Sequence, residues 1–156
     1  MISDANILND PLSRFGIEPQ TKEIWILFNQ LMALSLLSTG IESNKIINNT
    51  LHKRILGYLL YTSLICFSLS GFITMDIKYI HLSLAAAFFL LYIGYIFWYG
   101  IFSKIKRITA LSSILILVCV LSLLISISLK ISYGVFEIIF ILSVIIWNYI
   151  MIYNKK

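Results

Sequence analysis

Charge is what this chain has least of. Asp, Glu, Lys and Arg make up 12% of its 156 residues, while 60% are hydrophobic. A soluble domain carries about a quarter charged residues. Half that supply excludes a surface that mostly faces water. The length on its own fits one domain. Cysteine is scarce as well: Cys66 and Cys119 both lie inside apolar runs and form no CxxC pair. That excludes a redox or zinc motif and leaves the thiols as small hydrophobes. No basic start followed by an apolar core opens the chain; Asp4, Asp10, Arg14, Glu18 and two prolines fill the first twenty residues. No cleavable signal is expected, and the mature chain is expected to begin at Met1. There is no internal repeat and no nucleophile elbow of a hydrolase.

The formal net charge of +5 invites a nucleic-acid reading. The pattern excludes it, because no basic face is interleaved with exposed aromatics. The cations instead sit in short clusters between apolar runs, as loops do where they meet anionic headgroups.

What is present is a series of long apolar runs. Five stretches, at about 24–41, 55–75, 77–103, 108–129 and 131–154, are each nearly free of charge. A helix needs about 20 apolar residues to cross the hydrocarbon. Strands of a membrane barrel alternate and run about 10 residues, so they are excluded. Lipid offers no partner to an unpaired backbone group, so the runs predict helices. The expected fold is all-α: a polytopic transmembrane bundle of five helices over 24–154, preceded by an extracytoplasmic tail over 1–23. Thr21 is the expected cap of the first helix, with Glu23 in its first turn. Asp76 is the expected cap of the third, with Met75 and Ile80 as a staple.

Orientation follows from the cations. Lys45, Lys53 and Arg54 lie between the first and second runs, and Lys104, Lys106 and Arg107 between the third and fourth. Lys155 and Lys156 end the chain, whereas the opposite loops hold only Lys78 and Lys130. The positive-inside rule places the C-terminus in the cytoplasm and the N-terminus outside. Phe97, Trp98, Tyr99, Trp147, Tyr149 and Tyr153 gather at the basic ends, as interfacial aromatics do.

Small and polar residues fall in stripes. His81, Ala85, Phe88, Tyr92, Tyr95 and Tyr99 share one helical face. So do Ser112, Cys119, Ser122 and Ser126, then Glu137, Val144 and Asn148, then Asn29 and Ala33. Such stripes are the ordinary glue between membrane helices. The expected interior polar set is Asn29, Tyr92, Tyr95, Ser122, Ser126 and Asn148. A second set, Asp4, Asp76, Lys78, His81, Lys130 and Glu137, falls near the outer membrane face and forms a candidate polar pocket. Glu137 stands out, because a carboxylate one turn inside a helix must pair or take a proton. His81 or Lys130 is its expected partner. His52 lies on the opposite side, so no metal set is expected.

Four segments carry a resemblance: ISDANILNDP, EIWILFNQLMAL, LHKRILGYLLYTSLICFSLSGF and HLSLAAAFFLLYIGY. An "ISD" opening, a helix with "FN", a helix ending in Gly-Phe and a helix opening on His and running into Phe-Phe resemble the DRAM/Sfk-type membrane family and a related group of prokaryotic membrane proteins. The similarity spans residues 2–100. It aligns Ser3, Asp4, Asn29, Gly71 and His81 with the family pattern. It implies a bundle with a polar outer pocket near Asp4 and His81, and no established enzyme activity. Family members have six helices, so this chain starts where the family's first helix has already ended.

These observations lead to an integral membrane protein of a bacterial or archaeal cytoplasmic membrane, without a catalytic centre or cofactor, binding lipid or a membrane partner through its helix faces. A homo-oligomeric pore is the alternative, with Glu137 and the fourth-helix serines lining a polar path. A subunit of a larger membrane complex is another. An intramembrane enzyme using His81 as base with Asp4 or Asp76 ranks last.

Overall fold

The computed structural model describes residues 16–17, 19–73, 77–128 and 133–153. Asp4, Asp76 and Lys130 lie outside the described residues, as does most of the N-terminal tail. The described chain forms five helices: α1 (Lys22–Asn44), α2 (Thr50–Phe72), α3 (Lys78–Phe102), α4 (Lys106–Ser128) and α5 (Tyr133–Tyr153). Each is long and apolar enough to cross a membrane.

The apolar runs place the helices, and capping moves some of their ends. α2 starts at Thr50, five residues before the run that begins at Ile55. Its cap is the reason. The Asn49 side-chain oxygen accepts from the backbone N–H of Leu51 at 2.9 Å and of His52 at 3.2 Å. Two of the orphan donors of a helix start are thereby satisfied. The polar residues Thr50, His52, Lys53 and Arg54 are wound into the first turns. α1 likewise continues to Asn44 rather than stopping at Ile41. Thr21 occupies the N-cap of α1 without a side-chain capping bond. Ile77, not Asp76, is the N-cap residue of α3. α3 gives way to α4 through Lys104, whose φ of 57° is left-handed.

Paired residues give the directions of the helices. Gly40 faces Leu60 and Gly71 faces Asn29, so α1 and α2 run antiparallel. A Cβ on Gly71 would lie 2.9 Å from Cβ of Asn29, and one on Gly40 would run into Leu60. Small residues thus let the two backbones come close, as in membrane helix pairs generally. Gly100 does the same for α3 and α4, against Ser112. Phe88 meets Phe140 and Tyr99 meets Trp147, so α3 and α5 run parallel. The helices pack in sequence, α1 on α2, α2 on α3, α3 on α4 and α4 on α5, and α5 returns to α1. The result is an up-and-down ring whose odd helices share one direction.

The core is aromatic. Phe67, Phe88, Tyr92, Phe140, Tyr99 and Trp147 are all buried, and α3 supplies the axis of this column. Phe88 and Phe140 make an edge-to-face contact at 5.6 Å, a geometry ring quadrupoles favour. The outer surface carries the aliphatics. Leu27, Leu31 and Leu34 of α1, Leu90 of α3, Leu117 and Leu124 of α4 and Ile145 of α5 are exposed. Such a surface suits an apolar surrounding.

Candidate functional site

His81 ends the first turn of α3 and is 4% exposed. Its Nδ1 lies 2.7 Å from the Ile73 carbonyl oxygen and 3.1 Å from that of Ser70. Both partners only accept, so Nδ1 carries the hydrogen and donates. The acceptors are among the carbonyls left open at the end of α2. His81 therefore closes the C-terminus of the preceding helix. In the neutral ring this tautomer leaves Nε2 with a lone pair.

Beside His81 is a cavity of about 40 Å³, whose lining includes Trp25, Asn29, Ser70, His81, Phe88 and Glu137. A cavity needs about 10–15 Å³ to hold one water. This one admits water or a small ion and no lipid. Asn29 is 1% exposed and donates from Nδ2 to the Trp25 carbonyl at 2.8 Å. Among the described residues the buried Trp25 indole N–H has no hydrogen-bond partner. Glu137 is half-buried in the same lining. The structure thus brings His81, Asn29 and Glu137 to one place from three helices. Lys78 is exposed and does not line the cavity.

A second polar group lies farther along the bundle. Asn148 of α5 donates from Nδ2 to the Tyr92 hydroxyl at 2.9 Å and to the Val144 carbonyl at 2.7 Å. The Thr39 hydroxyl of α1 donates to its Oδ1 at 2.5 Å. Tyr95 donates to Asn44 Oδ1 at 3.2 Å, and Tyr99 to the Ser43 carbonyl at 3.0 Å. The tyrosine stripe of α3 thereby ties α5 and the end of α1. Ser112 and Ser122 of α4 donate to the carbonyls of Ile108 and Cys119 in their own helix. These serines and Ser126 are buried inside the chain. They occupy a packing seam. Among the described residues no three His, Cys, Asp or Glu side chains are placed to share a metal ion.

Several features have no sequence signal. Thr39 looks like any helix threonine, yet it completes the Asn148 group. His52 stacks on Phe102 at 3.7 Å between ring centroids. Gln30 and Ser68 pair across α1 and α2: Gln30 Nε2 donates to the Ser68 carbonyl at 3.1 Å, and the Ser68 hydroxyl donates to Gln30 Oε1 at 2.6 Å. All of these pairs depend on which faces meet, and spacing along one helix does not carry that information.

Comparison with protein-family models, with curated proteins and with solved structures found no match.

Proposed function

We propose that this chain is a small integral membrane protein that binds lipid through its helix faces and has no catalytic centre. The observation that carries the reading is the placement of its polar groups. Asn29, His81, Tyr92, Tyr95, Tyr99, Ser112, Ser122 and Asn148 are turned inward, where helix carbonyls and one another engage them. The outer faces are left aliphatic and aromatic, with grooves between helices open to the surroundings. Such a surface binds chains of lipid better than polar solutes.

Lys45, Lys53, Arg54, Lys104, Lys106 and Arg107 lie at the end where α1 and α3 finish and α2 and α4 begin. This end faces the cytoplasm, and the cavity beside His81 faces outward. The cavity is too small for a lipid substrate, and Nδ1 of His81 is engaged by backbone. Both points weigh against an outer-face lipid enzyme. The burial of the α4 serines weighs against their lining a pore between copies. The DRAM/Sfk-type resemblance is compatible with this reading and rests on its short motifs alone.

The test is native mass spectrometry of the protein released from lipid nanodiscs, after confirming that it resists alkaline extraction from membranes. Retained phospholipid on a single chain supports the reading. A lipid-free chain, or one released by alkali, overturns it. Copurifying foreign subunits would assign the function to a complex, and a lipid-free closed oligomer would favour the pore.

A further inference from the structure

The α1–α2 seam carries a groove that the polar sets do not include. At the basic end it has a volume of about 540 Å³ and is lined by residues including Lys45, Lys53, Arg54, Gly57, Tyr58 and Tyr61. That is within the range of ligand pockets, roughly 300–1,000 Å³. A second hollow of about 290 Å³ continues along the same two helices and shares Tyr61; Leu34, Leu37, Ile65 and Leu69 line it. The polar pair Gln30 and Ser68 also borders this upper part, and each engages the other. The upper wall is therefore effectively apolar. At 1.5 Å per residue, Lys53 to Tyr61 spans about 12 Å and Lys53 to Leu69 about 24 Å. Half of a hydrocarbon core is about 15 Å. The lower hollow is thus about one leaflet deep, with cations at its mouth.

The mouth is selective in charge. Lys45 is held by Glu42 in an ion pair. Lys53 and Arg54 have no ion-pair partner among the described residues. They leave an uncompensated positive pair at the depth where a phosphate would lie. Arg presents a planar fork suited to phosphate oxygens, and Lys a point charge. Gly57 keeps the floor open, since a Cβ there would meet only its own helix neighbour Tyr61, at 3.6 Å.

We propose that this groove is a binding site for an anionic phospholipid of the cytoplasmic leaflet, with its phosphate on Lys53 and Arg54 and an acyl chain along Tyr58, Tyr61 and Leu37. The inference rests on the lipid-binding reading above and names its ligand and place. The test exposes full-length protein in detergent to equimolar phosphatidylglycerol and phosphatidylcholine of matched chains, with native mass spectrometry reading the bound lipid. Wild type is expected to prefer phosphatidylglycerol about tenfold. The double variant K53Q/R54Q should lose most of that preference, and Gly57→Leu, which fills the floor at unchanged charge, should lower phosphatidylglycerol retention at least fivefold. K106Q/R107Q, with cations at the same end but outside the groove lining, should behave as wild type. Gly57→Leu keeps the test decisive if the charge variant misfolds. Equal retention of the two lipids by wild type overturns the site and spares the broader reading. An equal loss in K106Q/R107Q, or no loss in Gly57→Leu, also overturns the site. Displacement of the lipid by millimolar inorganic phosphate would make it a phosphate pocket. Failure to retain either lipid overturns both readings.

Discussion

A histidine at the mouth of an otherwise apolar helix is explained by the helix before it. His81 donates to the Ile73 and Ser70 carbonyls, which the end of α2 leaves without intrahelical partners. Its replacement by Ala should cost about 1–3 kcal/mol, the penalty for buried polar groups left unsatisfied. His81→Asn, whose amide N–H reaches about as far as Nδ1, should recover part of that loss. Thermal unfolding in detergent decides it, and an Ala variant as stable as wild type would remove the capping role. Asn148 makes a different case, since it joins Thr39 and Tyr92 across two helix pairs. A double-mutant cycle between Thr39→Val and Asn148→Leu should give a coupling of about 0.6 kcal/mol, the average for such bonds between membrane helices. A coupling of zero would mean the bond contributes nothing beyond its surroundings.

At the scale of the element, five helices were legible because each apolar run is long and nearly uncharged. Their ends were less so. The start of α2 depends on the Asn49 cap, which acts on backbone donors and leaves no mark in hydropathy. The stripes on α3 and α4 were legible from spacing, because one buried face per helix follows from period alone. Which stripe meets which was not. His81 was visible as an oddity, but its partners are carbonyls of another helix. In the sequence Lys104 is only a cation of the α3–α4 loop, yet it holds the left-handed position between the two helices. That conformation costs an L-residue roughly 1–2 kcal/mol. Lys104→Gly should therefore raise stability by about 0.5–1 kcal/mol after the entropy of glycine is counted. Gly71→Val should do the opposite, by about 1–3 kcal/mol, because its side chain must displace Asn29. Chemical denaturation of the two variants beside wild type measures both.

At the scale of the whole molecule, five antiparallel crossings would put the two ends of the described bundle on opposite sides of a membrane. Two single-cysteine replacements test the proposed orientation, since the native Cys119 is buried and Cys66 half-buried. Lys78→Cys should react with an impermeant thiol reagent added to intact cells. Lys104→Cys should react only after the membrane is opened. The reverse pattern would invert the bundle and move the groove of Lys53 and Arg54 to the outer leaflet.

The ring closes last. α2 through α5 each pack on the helix before, but α5 must also return to α1 and fill the aromatic face of α3. Tyr153 lies 51 residues after Phe102. At roughly 5–20 residues per second of synthesis, a few seconds pass between the completion of α3 and the completion of α5. For most of that interval Tyr92 and Thr39 have no Asn148 to bond, and Phe88 has no Phe140. Until α5 is made, the aromatic face of α3 is thus uncovered, and α5 is the helix that seals it.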